Sequence, residues 1–253
     1  MSQNGQTQHR AAHFFMNAKG GVGKSHHAVL LLQAYRAAGL PVIGIDADAT
    51  SATFSSFKSL KIRRMDIMER EQINARVFDN IIEEILTGDS NFVIDTGASS
   101  FVELNRYLAK NAGPDVVTGA GKRFVTNLII TGGATFNETC LNLKAIADQA
   151  PASVEIVVWL NEHFGPIADG RAFEDLEIYK LTAPRIAAVI RIADHTFAEQ
   201  ATFGEDVKQM MRRGYSFEDV KAAPTAEFTV MAKSRLYRLQ KDIDGKLAAA
   251  FSF

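Results

Sequence analysis

Residues 17–27 read NAKGGVGKSHH, and this stretch decides how the rest of the chain is interpreted. An apolar run, HFFMN, leads into it, and a segment with helical periodicity, SHHAVLLLQAYRAAG, follows. Glycines between a strand and a helix allow backbone N–H groups to turn toward phosphate oxygens. The N-terminal end of the helix presents its positive dipole to the same anion. We therefore predict a phosphate-binding loop.

The loop also carries the side chains that nucleotide phosphates and their metal require. Lys24 is placed to reach the β- and γ-phosphates, and the Ser25 hydroxyl to ligate Mg²⁺. The pattern GxxxxGK[ST] is met except at its first position, which is Ala18. The alternative, an ordinary glycine-rich turn, is disfavoured by the GKS ending in this setting. The predicted nucleotide-binding residues of the loop are Gly20, Gly21, Val22, Gly23, Lys24, Ser25 and His26, the last mainly through its backbone.

Apolar runs and helix-like segments alternate along the chain. The strand-like runs after the loop are LPVIGIDAD, NFVIDTG, RFVTNLIITGG, VEIVVWLN and RIAAVIRIA. Such apolar strands, separated by helices, predict an α/β fold with a doubly wound, mostly parallel sheet and helices on both faces. The pattern is helical from about Thr196 onward. No repeat or linker appears, so we expect a flexible tail over 1–12 and a single domain over 13–253.

Composition excludes several classes of function. The formal net charge of −1 in 253 residues gives no overall attraction to nucleic acid or acidic lipid. A single cysteine, Cys140, forms no internal disulfide and cannot hold an iron–sulfur cluster within one chain, which argues against a reductase of that kind. The opening MSQNGQTQHRAA has no apolar signal-peptide segment, and no later run is long enough to span a membrane. We expect a cytoplasmic protein.

Two predicted strands end in carboxylates. Asp46 and Asp48, in IDAD, are expected at the carboxyl edge of the sheet, where open α/β folds bind ligands. Carboxylates there suit a contact with magnesium or its water and the orientation of an attacking water, although turn formation is a common alternative. In FVIDTGASS, Asp95 is a further magnesium candidate, and Gly97 can bring its backbone N–H close to a γ-phosphate.

The string KGGVGKS resembles the deviant Walker A motif of the ParA/MinD family of P-loop ATPases. In that family an additional lysine near the start of the loop crosses to the nucleotide bound by a second subunit. The resemblance implies that Lys19 does so here, and that the protein binds ATP with Mg²⁺, forms a homodimer around ATP and hydrolyses it slowly. Catalysis would then depend on Lys19, Lys24 and Asp48. The alternative for Lys19 is a solvated surface lysine.

The same family implies roles for the polar residues at the strand ends. By resemblance to its switch I region, Asp48 positions the attacking water and Asp46 supports magnesium, and the reverse division stays open. FVIDTG is similar to a Walker B strand, in which Asp95 acts on magnesium through bound water. Partition ATPases usually continue with Pro-Gln after the aspartate pair, whereas Ala-Thr follows here. Asn161 stands where family members often hydrogen-bond adenine, with turn formation as the alternative.

Four runs outside the phosphate loop narrow the resemblance to the TraL proteins of conjugative plasmids, a ParA-like branch encoded with DNA-transfer functions. The runs are TSATFSSFKSLKIRRMDI, DTGASSF, ITGG and VVWLNEHFGPI. This likeness spans about 14–215 and implies an ATPase that serves conjugal transfer together with a transfer protein. Two alternatives are a plasmid partition or positioning ATPase that binds DNA non-specifically, and a nucleotide-binding scaffold without significant hydrolysis.

The remaining patterns favour structural roles. GAGKR, at 119–123, lacks the upstream glycine and the hydroxyl of a phosphate loop and is predicted to be a surface turn. His26 and His27 are adjacent on a helix and are expected to point apart. An apolar stripe in the C-terminal helix favours packing on the body or on a partner over a membrane helix. The stripe is Leu236, Leu239, Ile243 and Leu247. A basic set is expected to be a solvated face more often than a DNA contact, and comprises Arg212, Arg213, Lys233, Arg235 and Arg238.

Overall fold

The computed structural model describes residues 10–192 and 201–253. Its strands are β1 (Ala11–Phe15), β2 (Val42–Ala47), β3 (Arg63–Arg64), β4 (Met68–Glu69), β5 (Gln72–Ile73), β6 (Asn91–Thr96), β7 (Arg123–Thr131), β8 (Val154–Asn161) and β9 (Ile186–Ile192). Its α-helices are α1 (Lys24–Ala37), α2 (Ala75–Thr87), α3 (Phe101–Lys110), α4 (Gly113–Gly119), α5 (Phe136–Gln149), α6 (Glu177–Thr182), α7 (Ala201–Arg213), α8 (Phe217–Ala222) and α9 (Val230–Phe251).

Seven strands form one parallel sheet in the order β3-β2-β6-β1-β7-β8-β9, and β4 and β5 form a separate antiparallel ribbon. One hydrophobic core joins a face of the sheet to α1, α7, α8 and α9. A second core joins the other face to α2, α3, α4 and α5. The predicted doubly wound α/β fold, with helices on both faces, is confirmed. The predicted helical start near Thr196 lies outside the described residues.

The predicted boundary of the N-terminal tail at residue 12 is wrong. Ala11 and Ala12 belong to β1 and are 3% and 0% exposed. The Ala11 N–H donates to Asn91 Oδ1 at 3.0 Å, and Arg10 pairs with Asp89 at 3.0 Å. Alanine is too small to mark a strand in a pattern that relies on large apolar side chains, so the strand seemed to begin later. Residues 1–9 lie outside the described residues.

The apolar stripe of the C-terminal helix packs against the body. Leu236, Leu239, Ile243 and Leu247 are at most 6% exposed and belong to the core shared with α1. Thr229 caps the start of α9, its side chain accepting a hydrogen bond from the Ala232 N–H at 3.2 Å. Packing on the body is therefore the observed role of the stripe. Within 10–192 and 201–253, no helix has both the length and the apolarity to cross a membrane.

Strand register brings the predicted site residues to one edge of the sheet. Asp95 in β6 is the parallel partner of Asp46 in β2 and of Phe15 in β1. The glycine-rich loop leaves β1 directly after Phe15, so it begins beside Asp95, with Asp46 on the next strand. On the other side of β1, Thr131 in β7 pairs with Asn161 in β8. The carboxyl ends of these parallel strands therefore surround the loop.

Candidate nucleotide-binding site

The glycine-rich loop connects β1 to Lys24, the first residue of α1, as the sequence predicts. Gly21 and Gly23 have φ angles of 73° and 99°, in the left-handed region that favours glycine. A Cβ atom at Gly23 would lie 2.8 Å from Asn161 Nδ2 and would displace the amide that donates to the Val22 carbonyl. Within the described chain, no side chain caps the start of α1. The N–H groups of its first turn therefore stay available to an anion.

Two asparagines that the sequence motifs did not indicate fix the beginning of the loop. Asn17 binds the backbone of Ile129 twice, donating to its carbonyl and accepting from its N–H, both at 3.0 Å. Asn142, in α5, accepts a hydrogen bond from the Ala18 N–H at 3.3 Å. The partners are 112 and 124 residues apart in sequence. No local pattern could have revealed these bonds, because they depend on how β7 and α5 pack beside β1.

Asn161 holds the end of the loop. Its side-chain amide donates to the Val22 carbonyl at 2.8 Å, and its Oδ1 accepts from the His163 N–H at 3.1 Å. Val22 itself is buried, with 1% exposure. The turn-forming role that was the alternative for Asn161 is therefore present. The contact with adenine stays a prediction.

Lys19 extends away from the loop toward α5. Its Nζ lies 2.8 Å from Glu138 Oε2, and the two side chains are 43% and 54% exposed. Exposed ion pairs contribute about 0–1 kcal/mol to stability, because water competes for both charges. Lys19 thus has an acidic partner within its own chain, one that a stronger anion can displace.

Lys24, Ser25 and Asp95 meet beneath the loop. Lys24 is 7% and Asp95 1% exposed. Burial lowers the pKa of Lys24, and the charges of Asp95 and Asp48 oppose that effect. Burial raises the pKa of Asp95 to about 7, against a hydrogen bond with Ser25 and the charge of Lys24. In the described part of the chain, Asp95 Oδ1 has no hydrogen-bond partner. A buried carboxylate oxygen left unsatisfied beside a serine hydroxyl is chemically suited to a hard cation or its water.

The aspartates after β2 shape the loop that follows it. Asp46 is fully buried, and its carboxylate accepts from the N–H groups of Asp48 at 3.2 Å and Ser55 at 2.8 Å. Asp48 Oδ1 accepts from the Thr50 N–H at 2.9 Å, the Thr50 hydroxyl at 2.7 Å and the Ser51 N–H at 3.2 Å. Both residues therefore form turns, as their alternative reading anticipated. Their division of labour toward water and magnesium stays a prediction.

Gly97 meets a requirement that the sequence did not indicate. A Cβ atom built at Gly97 would lie 2.7 Å from Asp48 Oδ1. Glycine at position 97 therefore permits Asp48 to approach the end of β6. This role does not depend on what the Gly97 N–H contacts. Gly20 also lies near the segment that follows β6, since a Cβ atom at Gly20 would be 4.0 Å from the Cβ of Ala98.

The expectation that His26 and His27 point apart is wrong. Their rings meet edge to face, with centroids 5.3 Å apart. Successive helical residues are about 100° apart around the axis, not opposite, so two flexible rings can still touch. His27 Nδ1 also lies 2.8 Å from the Gly23 carbonyl, and its ring packs on Trp159. Burial is the main reason that the pKa of His26 falls to about 3 and that of His27 to about 4.

The GAGKR segment and several members of the basic set have partners within the chain. In GAGKR the chain turns at 120–121, where the Gly121 N–H donates to the Thr118 carbonyl at 2.9 Å, so the predicted turn is confirmed. Lys122 donates to the carbonyls of Ile85 and Gly88 at the end of α2. In the basic set, Arg213, Lys233 and Arg235 are engaged within the chain. Arg213 pairs with Glu227, Arg235 pairs with Asp206, and Lys233 donates to the carbonyls of Lys221 and Ala223. These contacts leave fewer cations for DNA phosphates.

The comparison with known proteins agrees with the geometry in indicating a nucleotide-binding domain. The model of a family described as the CobQ/CobB/MinD/ParA nucleotide binding domain matches residues 13–228. Two proteins from Escherichia coli, each called protein TraL, are 34% identical over 239 residues, which is 94% of this chain and 97% of theirs. A chain of the solved MinC:MinD cell division protein complex of Aquifex aeolicus aligns with a TM-score of 0.50 and 11% identity, covering 93% of this chain and 96% of that one. That likeness supports the fold.

Proposed function

Because the chain belongs to the CobQ/CobB/MinD/ParA nucleotide-binding family, we propose that it is a Mg-ATP-dependent switch that dimerises around ATP and hydrolyses it slowly. The observation that carries the proposal is the meeting of Lys24, Ser25 and Asp95 beneath a glycine-rich loop. A cation and a carboxylate that are buried together contribute little net stability. At the carboxyl end of a parallel sheet, they are suited to binding a phosphate and its metal.

The residues present are suited to magnesium. Asp95 keeps one unsatisfied oxygen within the described chain, and Ser25 supplies a neighbouring hydroxyl. Asp46 is the next carboxylate across the sheet. Mg²⁺ retains several waters and binds few protein oxygens, so this small donor set is sufficient. When bound, magnesium would neutralise charge on the β- and γ-phosphates.

The chain's own groups would then divide the remaining work. The backbone of Gly20–Gly23 would bind the phosphates, and Lys24 would neutralise charge that develops on the γ-phosphate. Asp48, which already lies against Gly97, would orient the attacking water. Catalysis of this kind depends on positioning and charge, because phosphoryl transfer requires little covalent chemistry from the protein.

Lys19 would connect hydrolysis to assembly. In the proposed dimer it leaves Glu138 and contacts the nucleotide of the second subunit. The exchange costs little, since the Lys19–Glu138 pair is about half exposed. To move a population from 1:99 to 99:1 dimer-competent, ATP must favour that state by about 5.5 kcal/mol. Several new contacts to the γ-phosphate are of the right magnitude.

The proposed setting is plasmid conjugal transfer in the cytoplasm, with a transfer protein as partner. Similarity to the TraL proteins over 94% of the chain supports this choice. The second candidate, a partition ATPase that binds DNA non-specifically, requires free cations. DNA binding by Arg213, Lys233 and Arg235 would require each to exchange a partner within the chain for a phosphate.

Nucleotide binding by a Lys24→Ala variant tests the proposal. We expect it to fold but to lose measurable binding of a fluorescent ATP analogue, because the buried cation that faces the phosphates is gone. Lys144→Ala, which removes a partly exposed lysine of α5, is the matched control and should bind as the unaltered protein does. Affinity of Lys24→Ala within about twofold of the unaltered protein would contradict the phosphate-loop assignment. Phosphate release by the unaltered protein separates the ATPase from a non-hydrolysing scaffold.

A further inference from the structure

The peptide between Gly23 and Lys24 is held by two hydrogen bonds from a single residue. His27 donates to the Gly23 carbonyl through its backbone N–H at 3.1 Å and through Nδ1 of its imidazole at 2.8 Å. The backbone bond is the ordinary first bond of a helix, whereas the imidazole bond is an addition that the side chain makes. Because a carbonyl oxygen only accepts hydrogen bonds, Nδ1 carries the proton in this contact.

The orientation of this carbonyl decides what an anion meets at the start of α1. A peptide unit is planar and trans, so its C=O and N–H groups point in opposite directions. While the Gly23 carbonyl points along α1 to His27, the Lys24 N–H points out of the helix start, toward the phosphate loop. This N–H is one of the donors that the helix offers to a phosphate.

The same peptide has little steric resistance to turning over. Gly23 has φ 99° and ψ 16°, and glycine lacks the Cβ atom that would restrict rotation about its backbone bonds. Turning the Gly23–Lys24 peptide over would exchange its N–H for its carbonyl oxygen. A phosphate would then meet a partial negative charge in place of a donor. The second hydrogen bond to the carbonyl opposes this change.

We propose that His27 is a positioning residue, which holds the Lys24 N–H toward the bound phosphates by fixing the Gly23 carbonyl. This inference rests on the proposed nucleotide-binding function and adds to it a residue that follows the glycine-rich motif. Asn161 acts in the same way one peptide earlier, since its amide donates to the Val22 carbonyl at 2.8 Å and so orients the Gly23 N–H. Two successive peptides at the end of the loop are thus oriented through their carbonyls.

The imidazole of His27 is itself held by the sheet. His27 is 3% exposed, and its ring meets that of Trp159 edge to face, with centroids 5.3 Å apart. Trp159 is fully buried in β8, and its Nε1 donates to Asn127 Oδ1 in β7 at 2.9 Å. Asn127 is fully buried as well. Support of this kind keeps the imidazole donor in place, which a positioning role requires.

Substitutions at position 27 separate the hydrogen bond from the packing. His27→Phe keeps an aromatic ring beside Trp159 and removes the donor. His27→Asn removes the ring and keeps a donor, because the asparagine amide nitrogen is as many bonds from the backbone as Nδ1 of histidine. We expect His27→Phe to weaken binding of both Mg-ATP and magnesium tripolyphosphate roughly three- to tenfold, the effect of one neutral hydrogen bond. His27→Asn should stay within about twofold of the unaltered protein.

Tyr35→Phe is the matched control, because it also removes one buried hydrogen bond, between Tyr35 and His13, near the other end of α1. It should lower the free energy of unfolding in urea without changing the affinity for either ligand. His27→Leu also removes the donor, and it takes the place of His27→Phe if the larger ring prevents folding.

Two results would overturn the inference. One is affinity of the donor-free variant within about twofold of the unaltered protein, whatever its stability. The other is equal weakening by His27→Asn, since packing and not the hydrogen bond would then be responsible. An unaltered protein that binds neither ligand would contradict the proposed function, and this inference with it.

Discussion

At the scale of single residues, Asp48 shows how one carboxylate can serve both a turn and a reaction. Its Oδ1 accepts hydrogen bonds from Thr50 and Ser51, while the same oxygen lies against Gly97. The sequence indicated this carboxylate, because it stands at a strand end. Turn formation was the alternative that the sequence offered, and the structure shows Thr50 and Ser51 to be the partners.

Substitution of Asp48 separates the two roles. We expect Asp48→Ala to retain ATP and to lose hydrolysis by a factor of about 10² or more, because the water loses its orienting acceptor while the phosphates keep their loop. Asp48→Asn preserves an acceptor for the turn but removes the negative charge, so it separates the effect of losing the turn from that of losing the carboxylate. Nucleotide binding and phosphate release measure the two effects. Normal turnover by Asp48→Ala would show that the residue only forms a turn.

His13 makes a testable contribution to acid sensitivity. It is fully buried, Nε2 lies 2.7 Å from the Tyr35 hydroxyl, and burial lowers its pKa to about 3. The unfolded chain takes up this proton near pH 6.5, whereas the folded chain does not until about pH 3. Stability from neutral His13 is therefore complete above pH 6.5 and is lost as the pH falls toward 3.

We expect His13→Phe to show a shallower fall in the free energy of unfolding between pH 7 and about pH 4.5, by at most about 1.4 kcal/mol per pH unit. Urea denaturation at each pH measures the slope. The comparison uses slopes because the substitution also removes the bond to Tyr35 and so changes absolute stability. Identical slopes in the two proteins would mean that His13 takes up its proton in the folded state at the same pH as in the unfolded chain.

At the scale of elements, the strands and helices were predictable wherever large apolar residues set the period. The runs VEIVVWLN and RFVTNLIIT coincide with β8 and β7. The contacts between elements were not predictable, because they join distant residues. Gly132 and Gly165 illustrate this point: their motifs, ITGG and NEHFG, were recognisable as similar to TraL proteins, yet only the fold shows that the two backbones touch.

Two glycine substitutions should therefore have opposite effects on stability. Gly132 has an ordinary extended backbone, but a Cβ there would lie 1.9 Å from the Gly165 carbonyl oxygen, so we expect Gly132→Ala to destabilise the fold by about 2 kcal/mol or more. Gly245 lies inside α9 with open space around it. There alanine should stabilise by roughly 0.5–1 kcal/mol. Chemical denaturation of both variants checks the signs, and an unaffected Gly132→Ala protein would contradict the observed contact.

At the scale of the whole molecule, the chain provides one half of a proposed composite site. Lys24, Ser25 and Asp95 lie together in one subunit, whereas Lys19 reaches outward to Glu138. The extra lysine was recognisable from the motif. Its partner Glu138 was not, because the contact depends on where α5 begins relative to the loop. Dimerisation cannot be read from one sequence or from the structure of one chain.

Complementation between two inactive variants tests that assembly most directly. Lys19→Ala keeps its own Asp48 but has no lysine to donate, and Asp48→Ala has the lysine but cannot orient water. If Lys19 acts in the second subunit, a mixture should release phosphate from ATP well above the sum of the separate variants, because each mixed dimer regains one complete site. The gain should rise with total protein concentration. A mixture no more active than the sum of its parts, or a Lys19→Ala protein that hydrolyses ATP normally by itself, would contradict the account.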